Sequence, residues 1–204
     1  MAAPIRFYFD FASPYAWFAL PGLARLATMY GRDIDLRPML LWAVFKAQNI
    51  PPPLDVPARR AYLVADMVRS AEFHGVPFTL PAQLGISTHL AARLFYAHVR
   101  QAPEDARNLA HALLHAHMVE GRSLADETVL ISCAAPFGMS AADTRAAVSD
   151  PQAKHCLSEA VDAAVAAGVC GSPYFVVDGE GFFGADRLPQ IAWRLARPSC
   201  VSPA

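Results

Sequence analysis

Residues 7–15 read Phe7-Tyr-Phe-Asp-Phe-Ala-Ser-Pro-Tyr15, and the fold turns on them. The aromatic run from Ile5 to Phe9 favours an extended strand, and Asp10 ends it. Ser13-Pro14 then opens a helix. A serine hydroxyl satisfies a free amide of the first turn, and proline suits the first helical position, where its missing N–H costs nothing. Apolar residues at Trp17, Leu20, Leu23, Leu26 and Ala27 carry the helix on, and Gly31 closes it. Asp33 to Pro38 alternates polar and apolar residues and reads as a second strand. Strand, helix and strand at this spacing make a βαβ unit whose strands are parallel neighbours.

Outward from that unit the chain changes character. Between Leu40 and Val169 strand signals are scarce, and Ala-rich helical periodicity fills 57–74, 88–101, 104–120, 124–135, 140–148 and 151–168. Pro51-Pro52-Pro53 and Gly75-Val76-Pro77 break the helices as loops. Strands return at Tyr174–Val177 and at Phe182–Gly184, with a turn expected over Asp178–Gly181. A last amphipathic helix follows from Arg187 to Arg197, then a loose tail from Pro198 to Ala204. The expected architecture is α/β, a βαβ–ββα core with a large all-helical insertion. Its parts are 1–39 and 169–204 for the core and 40–168 for the insertion.

The totals agree with a packed enzyme-sized domain. Of 204 residues 54% are hydrophobic and 17% charged, enough apolar surface for a real core and too little charge for disorder. A net charge of -1 gives no electrostatic basis for nucleic-acid binding. Arg25, Arg37 and Asp66 interrupt the apolar runs well short of the roughly 18 residues of a membrane span. Arg6 and Asp10 break what would be a signal-peptide core, so a cytoplasmic address is expected. Cys133, Cys156, Cys170 and Cys200 form no C-x-x-C pair and no metal spacing; they read as small core residues plus one loose thiol in the tail. His111 and His115 share a helix face with His117 nearby, but no Glu stands in the H-E-x-x-H position. A partly exposed helix surface, with no metal, is the expectation there.

A βαβ–ββα order with Ser172-Pro173 just before the third strand resembles the thioredoxin fold, and the helical insertion resembles its DsbA-like branch. Disulfide oxidoreductases of that branch begin the first helix with C-P-x-C, where this chain has Ser13-Pro14-Tyr15-Ala16. Without those thiols, dithiol exchange at this site is excluded. The stretch at 7–15 instead resembles the 2-hydroxychromene-2-carboxylate isomerases and the related kappa-class glutathione transferases. That resemblance runs on through Leu40–Lys46, Asn49–Pro53, Val56–Tyr62, His74–Phe78, Gly168–Phe175 and Phe182–Leu188.

The resemblance implies glutathione as cofactor and assigns roles residue by residue. Ser13, the catalytic candidate, would donate a hydrogen bond to the cofactor's thiolate, whose pKa the helix N-terminus also lowers. As a bare Ser-Pro it also reads as a plain N-cap. Gly171, Ser172 and Pro173 would present main-chain groups beside a cis peptide bond to the cysteinyl backbone of glutathione. Relatives commonly carry an apolar residue where Ser172 stands. Ala185, Asp186 and Arg187 would meet the γ-glutamyl end, although Asp186 also suits a simple N-cap. Asn49 and Arg59 match positions that reach polar groups of the tripeptide; Arg59 replaces a kappa-class lysine, and the neighbouring Arg60 could serve instead. Trp42, Phe45 and Lys46 would line the second substrate's pocket, or else be helical core with one solvated lysine.

The implied reaction is glutathione-dependent isomerisation of 2-hydroxychromene-2-carboxylate to trans-o-hydroxybenzylidenepyruvate, in aromatic compound degradation, by a homodimer. A double bond cannot rotate until a nucleophile adds and leaves a single bond, and expelling the nucleophile restores conjugation. The partners are then a small aromatic 2-oxo acid or hemiketal, with no nucleic acid and no membrane. Two rivals stand beside it: a kappa-like transferase that conjugates electrophiles, and a thiol-free thioredoxin-fold binding module.

Overall fold

A computed structural model describes residues 2–197 of the chain. Cys200 and the expected tail from Pro198 lie outside the described residues. Strand β1 (Ile5–Phe9) leads through the Ser13 turn into helix α1 (Pro14–Met29), and β2 (Ile34–Pro38) returns parallel to β1. Helix α1 runs unbroken through Pro21, whose missing N–H and ring clash oppose an interior helical position. Burial of Trp17, Phe18, Ala19, Leu23 and Ala27 outweighs that cost.

The helical block follows as α2 (Leu41–Gln48), α3 (Pro57–His74), α4 (His89–Val99), α5 (Ala106–Met118), α6 (Glu127–Ala134), α7 (Ala141–Ser149) and α8 (Pro151–Ala166). Strands β3 (Tyr174–Val177) and β4 (Glu180–Phe183) then form an antiparallel hairpin, and α9 (Leu188–Leu195) closes the fold. Strand order is β2-β1-β3-β4, with β3 antiparallel to β1.

Two expected boundaries shift. The hairpin turn is the two residues Asp178-Gly179, not four, so Glu180 and Gly181 belong to β4 and Gly184 lies beyond it. Both turn residues have positive φ, 50° and 89°, the geometry of the tight Asp-Gly hairpin that matches strand twist. The last helix starts at Leu188, because Ala185–Arg187 winds as a tighter 3₁₀ turn.

One face of the sheet packs against α1. Phe7 stacks on Phe9 and on Phe175 with ring centroids 4.8 and 5.2 Å apart, and all three are fully buried. Such ring pairs add about 0.5–1.5 kcal/mol each beyond their area burial. The same core continues into the helical block through Phe11, Leu94, Phe95, Leu109, Leu113 and Leu130. The opposite face carries a smaller cluster of Tyr8, Met39, Val44, Ala164, Val169 and Val176, covered by α2 and α8. Among the described residues no helix is long and apolar enough to cross a membrane.

Candidate active site

The site is assembled where β1 ends. Ser13 caps α1: its backbone is extended (φ −92°, ψ 110°) and its Oγ accepts the Ala16 N–H at 3.4 Å. The turn before it is pinned by Ser13 N–H donating to the Asp10 carbonyl at 2.9 Å. The Ser172-Pro173 peptide bond is cis, and this loop lies directly against Ser13. The Ser13 hydroxyl donates to the Ser172 carbonyl at 3.0 Å, and the Asp10 N–H donates to Ser172 Oγ at the same distance. Ser13 and Ser172 are each 8% exposed.

The Ser172 carbonyl, expected to be free, is therefore engaged, because a buried hydroxyl takes the nearest acceptor. Beside Ser13, the Ser172 N–H and, in the first turn of α1, the Tyr15 N–H have no partner among the described residues. An arriving anion would find these two amides, the positive end of a 16-residue helix and a hydroxyl able to turn toward it.

The Ala185–Arg187 turn joins the same site, since Gly184 N–H donates to the Pro173 carbonyl at 3.0 Å. Asp186 is exposed and pairs loosely with Arg187 at 3.4 Å. His74, at the end of α3, is near enough for the Asp186 charge to oppose the burial that pushes its pKa below the ordinary value. Gly171 is buried beneath the half-exposed Phe183; a Cβ there would stand 2.1 Å from the ring.

Other predicted residues are placed on surrounding elements. Trp42 and Lys46 stand exposed one turn apart on α2, whereas Phe45 points inward at 6% exposure and has little surface for a substrate. The start of α2 is tied to the Ser13 turn by Leu41 N–H donating to Asp10 Oδ2 at 2.8 Å; its end is tied to the 169–173 loop by Gln48 Nε2 donating to Val169 O at 2.6 Å. Asn49 caps α2 in the left-handed conformation with φ 56°. Arg59 and Arg60 are exposed on the first turn of α3, and Arg59 borders an apolar hollow of about 300 Å³ with Pro53, Ala58, Tyr62 and Leu63. Among the described residues no hydrogen bond joins Asn49 or Arg59 to Ser13.

Residues overlooked in the sequence organise this site. Asp10 is buried, and its carboxylate accepts from Ala12 N–H (2.9 Å), Thr88 Oγ1 (2.6 Å) and Leu41 N–H (2.8 Å). Burial raises its pKa, with those three hydrogen bonds and the field of His117 opposing the rise. Read as a strand stop, it gave one faint signal, an acid between two buried aromatics. Asp66 ties α3 to α1, accepting from the Tyr15 hydroxyl at 2.7 Å and also from Ser70 and Arg69. Burial and this carboxylate hold the Tyr15 phenol well above its ordinary pKa, so it stays a neutral donor.

His111 and His115 stack at 5.9 Å against Trp17 on the helix surface. His117, expected on that surface, is 3% exposed, with Nδ1 at 2.9 Å from the Arg122 carbonyl. No group of three or more His, Cys, Asp or Glu among the described residues is arranged to hold a metal ion. Cys170 is an exposed free thiol two residues before Ser172.

Comparison with known proteins matches residues 4–196 to the DSBA-like thioredoxin domain. The chain is 31% identical over 190 residues to a 2-hydroxychromene-2-carboxylate isomerase of Sphingobium xenophagum, covering 92% of this chain and 95% of that protein. It is 28% identical over 207 residues to glutathione S-transferase kappa 2 of Caenorhabditis elegans, covering 95% and 92%. Among solved structures, a 2-hydroxychromene-2-carboxylate isomerase superposes with a TM-score of 0.83 at 26% identity, over 95% of this chain and 94% of that one.

Proposed function

We propose, from the premise that this chain belongs to the DsbA-like thioredoxin-domain family, that it is a glutathione-dependent isomerase of the 2-hydroxychromene-2-carboxylate type. The two kinds of enzyme it is similar to are isomerases and kappa-class glutathione transferases. The observation that carries the reading is local. A buried serine hydroxyl and two unpaired amides, Tyr15 and Ser172, converge at a helix N-terminus where the disulfide oxidoreductases of this fold place a thiol.

These groups fit a peptide thiol. The Ser172 N–H offers a main-chain donor to its cysteinyl unit, and the Asp186 carboxylate, with the Ala185 and Asp186 amides and the Arg187 side chain, suits the charged γ-glutamyl end. Asn49 and Arg59, on neighbouring elements, would meet the remaining carboxylate. Bound glutathione would supply the nucleophilic sulfur that relieves the barrier to rotation about the substrate's conjugated double bond. The protein's own contribution is electrostatic. The Ser13 hydroxyl rotates from the Ser172 carbonyl to donate to a thiolate, and the α1 N-terminus lowers the cost of carrying that charge. Trp42 and Lys46 offer an aromatic face and a cation to an aromatic 2-oxo acid. We propose the same chain as a homodimer in the cytoplasm, acting in aromatic catabolism. A kappa-like transferase shares every group named here and differs in releasing the conjugate as product.

The test is a glutathione titration of the wild type and Ser13→Ala, following thiolate absorbance with pH. The wild type should bind and show a thiol pKa well below the free value near 8.5, and the variant should lose most of that shift. Turnover of 2-hydroxychromene-2-carboxylate with glutathione unconsumed then marks the isomerase; steady conjugate formation marks the transferase. Absence of binding at millimolar glutathione would overturn both.

A further inference from the structure

The sheet face turned away from α1 carries a second cleft. Cross-strand partners share a face, so Asp35 and Arg37 of β2, Arg6 and Tyr8 of β1, Val176 of β3 and Gly181 of β4 line one surface. Helix α8 covers only part of it, packing Ala164 on Tyr8 and Val176. Beside that contact lies a cleft of about 450 Å³, bordered by Arg6, Tyr8, Arg37, Val176 and the last turn of α8.

Its charges are unequally committed. Arg37 is held by its strand neighbour: Nε and Nη2 both reach Asp35 Oδ2, at 2.8 and 2.7 Å. Arg6 has no carboxylate within ion-pair distance among the described residues, although Asp35 is its direct cross-strand partner. The Tyr174 hydroxyl also lacks a partner among the described residues, and it sits over Gly181, where a Cβ would meet it at 2.0 Å. The opposite wall is Ala163, Ala166 and Ala167, with no polar side chain. The cleft therefore joins a guanidinium with no carboxylate partner to an apolar wall, with the Tyr174 phenol over its Gly181 edge, and Arg6, Arg37 and the adjoining Asp35 sum to one positive.

We propose that this cleft binds a small planar aromatic monocarboxylate. Its carboxylate takes the two-pronged fork of Arg6 and a hydrogen bond from Tyr174, while its ring lies on the alanine wall and Val176. A single charge is favoured over a phosphate dianion for two reasons. Asp35 cancels one of the two guanidinium charges, and the wall is the C-terminal end of α8, where the helix dipole is negative. The site lies on the far face of the sheet from the Phe7–Phe9–Phe175 core, so it stands independently of the reading of Ser13.

The experiment is calorimetric titration of benzoate into glutathione-saturated protein, which keeps the Ser13 site occupied if that reading holds. Wild type should bind one benzoate. Arg6→Gln should weaken it by roughly 10- to 100-fold, the worth of a charge-assisted hydrogen bond. Ala166→Glu, which sets an anion on the wall, should abolish it, and Ser13→Ala should bind as wild type. Inorganic phosphate should bind more weakly than benzoate. Unchanged affinity in both cleft variants, phosphate binding as tight as benzoate, or no benzoate binding at millimolar concentration would each overturn the proposal. Loss of benzoate binding in Ser13→Ala would assign the benzoate to the Ser13 site and overturn it as well.

Discussion

Replacing Asp10 by Asn tests whether a buried anion holds the site together. The carboxylate accepts three hydrogen bonds, from the Ser13 turn, the start of α2 and the start of α4. An asparagine keeps the shape but offers only one acceptor oxygen. With its carbonyl serving Ala12 and Thr88, its amide N–H groups point at the Leu41 N–H, donor against donor. One hydrogen bond to a charged acceptor is then lost, worth about 1.5–3 kcal/mol, and the two that remain weaken as the acceptor becomes neutral. Removing a buried charge returns part of this through the desolvation no longer spent on it. The expected net loss for Asp10→Asn in mildly alkaline buffer is about 2–4 kcal/mol, or roughly 5–15 °C in Tm for a chain of this size.

Urea unfolding across pH supplies the second half of the test. Because burial raises the folded pKa of Asp10 above its ordinary 3.8, the folded chain holds that proton more tightly than the unfolded chain. The stabilisation linked to that proton is complete below 3.8 and is lost as pH rises through the folded value, with a slope of at most about 1.4 kcal/mol per pH unit. Asp10→Asn should remove that component. If the variant stays within about 0.5 kcal/mol of wild type in mildly alkaline buffer, the anionic hub is wrong; if it keeps the wild-type pH profile, the raised pKa of Asp10 is wrong.

Three further outcomes follow from contacts already described. Gly171→Ala must push aside the Phe183 ring, so it should cost about 1–2 kcal/mol in wild type and nearly nothing in a Phe183→Ala background; additive losses in the double-mutant cycle would contradict the contact. Tyr15→Phe should destabilise by about 1 kcal/mol, since it removes a partly buried bond to a carboxylate. Burial pushes the Asp66 pKa up, but bonds from Tyr15, Arg69 and Ser70 hold it below the ordinary 3.8, so its stabilisation is present above 3.8 and lost as pH falls through the folded value. In Tyr15→Phe the NMR-detected Asp66 titration should move up toward 3.8 and the acid-side loss should shrink. Arg32→Ala breaks the paired bonds to Asp178 that tie the end of α1 to the hairpin turn, and chemical unfolding should show a loss of about 1.5–3 kcal/mol with unchanged glutathione affinity.

The sequence by itself determined the elements and their order. The aromatic run at 5–9, Ser13-Pro14 and the return at 33–38 are local signals, because strand preference, capping and proline geometry act over a few neighbouring residues. Signals of this kind were enough to give the βαβ start, the helical block and the closing hairpin, whereas Ser13, Ser172 and Asp186 became candidates through the family resemblance. A turn is legible from Asp178 onward, but the sequence extends it over Glu180 and Gly181 because neither favours a strand. Their pairing with Val177 and Val176 comes from β3 across the hairpin. What only the tertiary structure decided is which residues meet. Asp10 acts on Leu41 and Thr88, 31 and 78 residues away, and Ser13 on Ser172, 159 residues away. Hydrogen bonds across such separations exist only once the core has paid the entropy of closing those loops, so no local pattern records them. Burial likewise separated residues the sequence had grouped: one helix, α2, turns Phe45 into the core while leaving Trp42 and Lys46 in solvent, because the packing partner of each helix face is chosen by the fold.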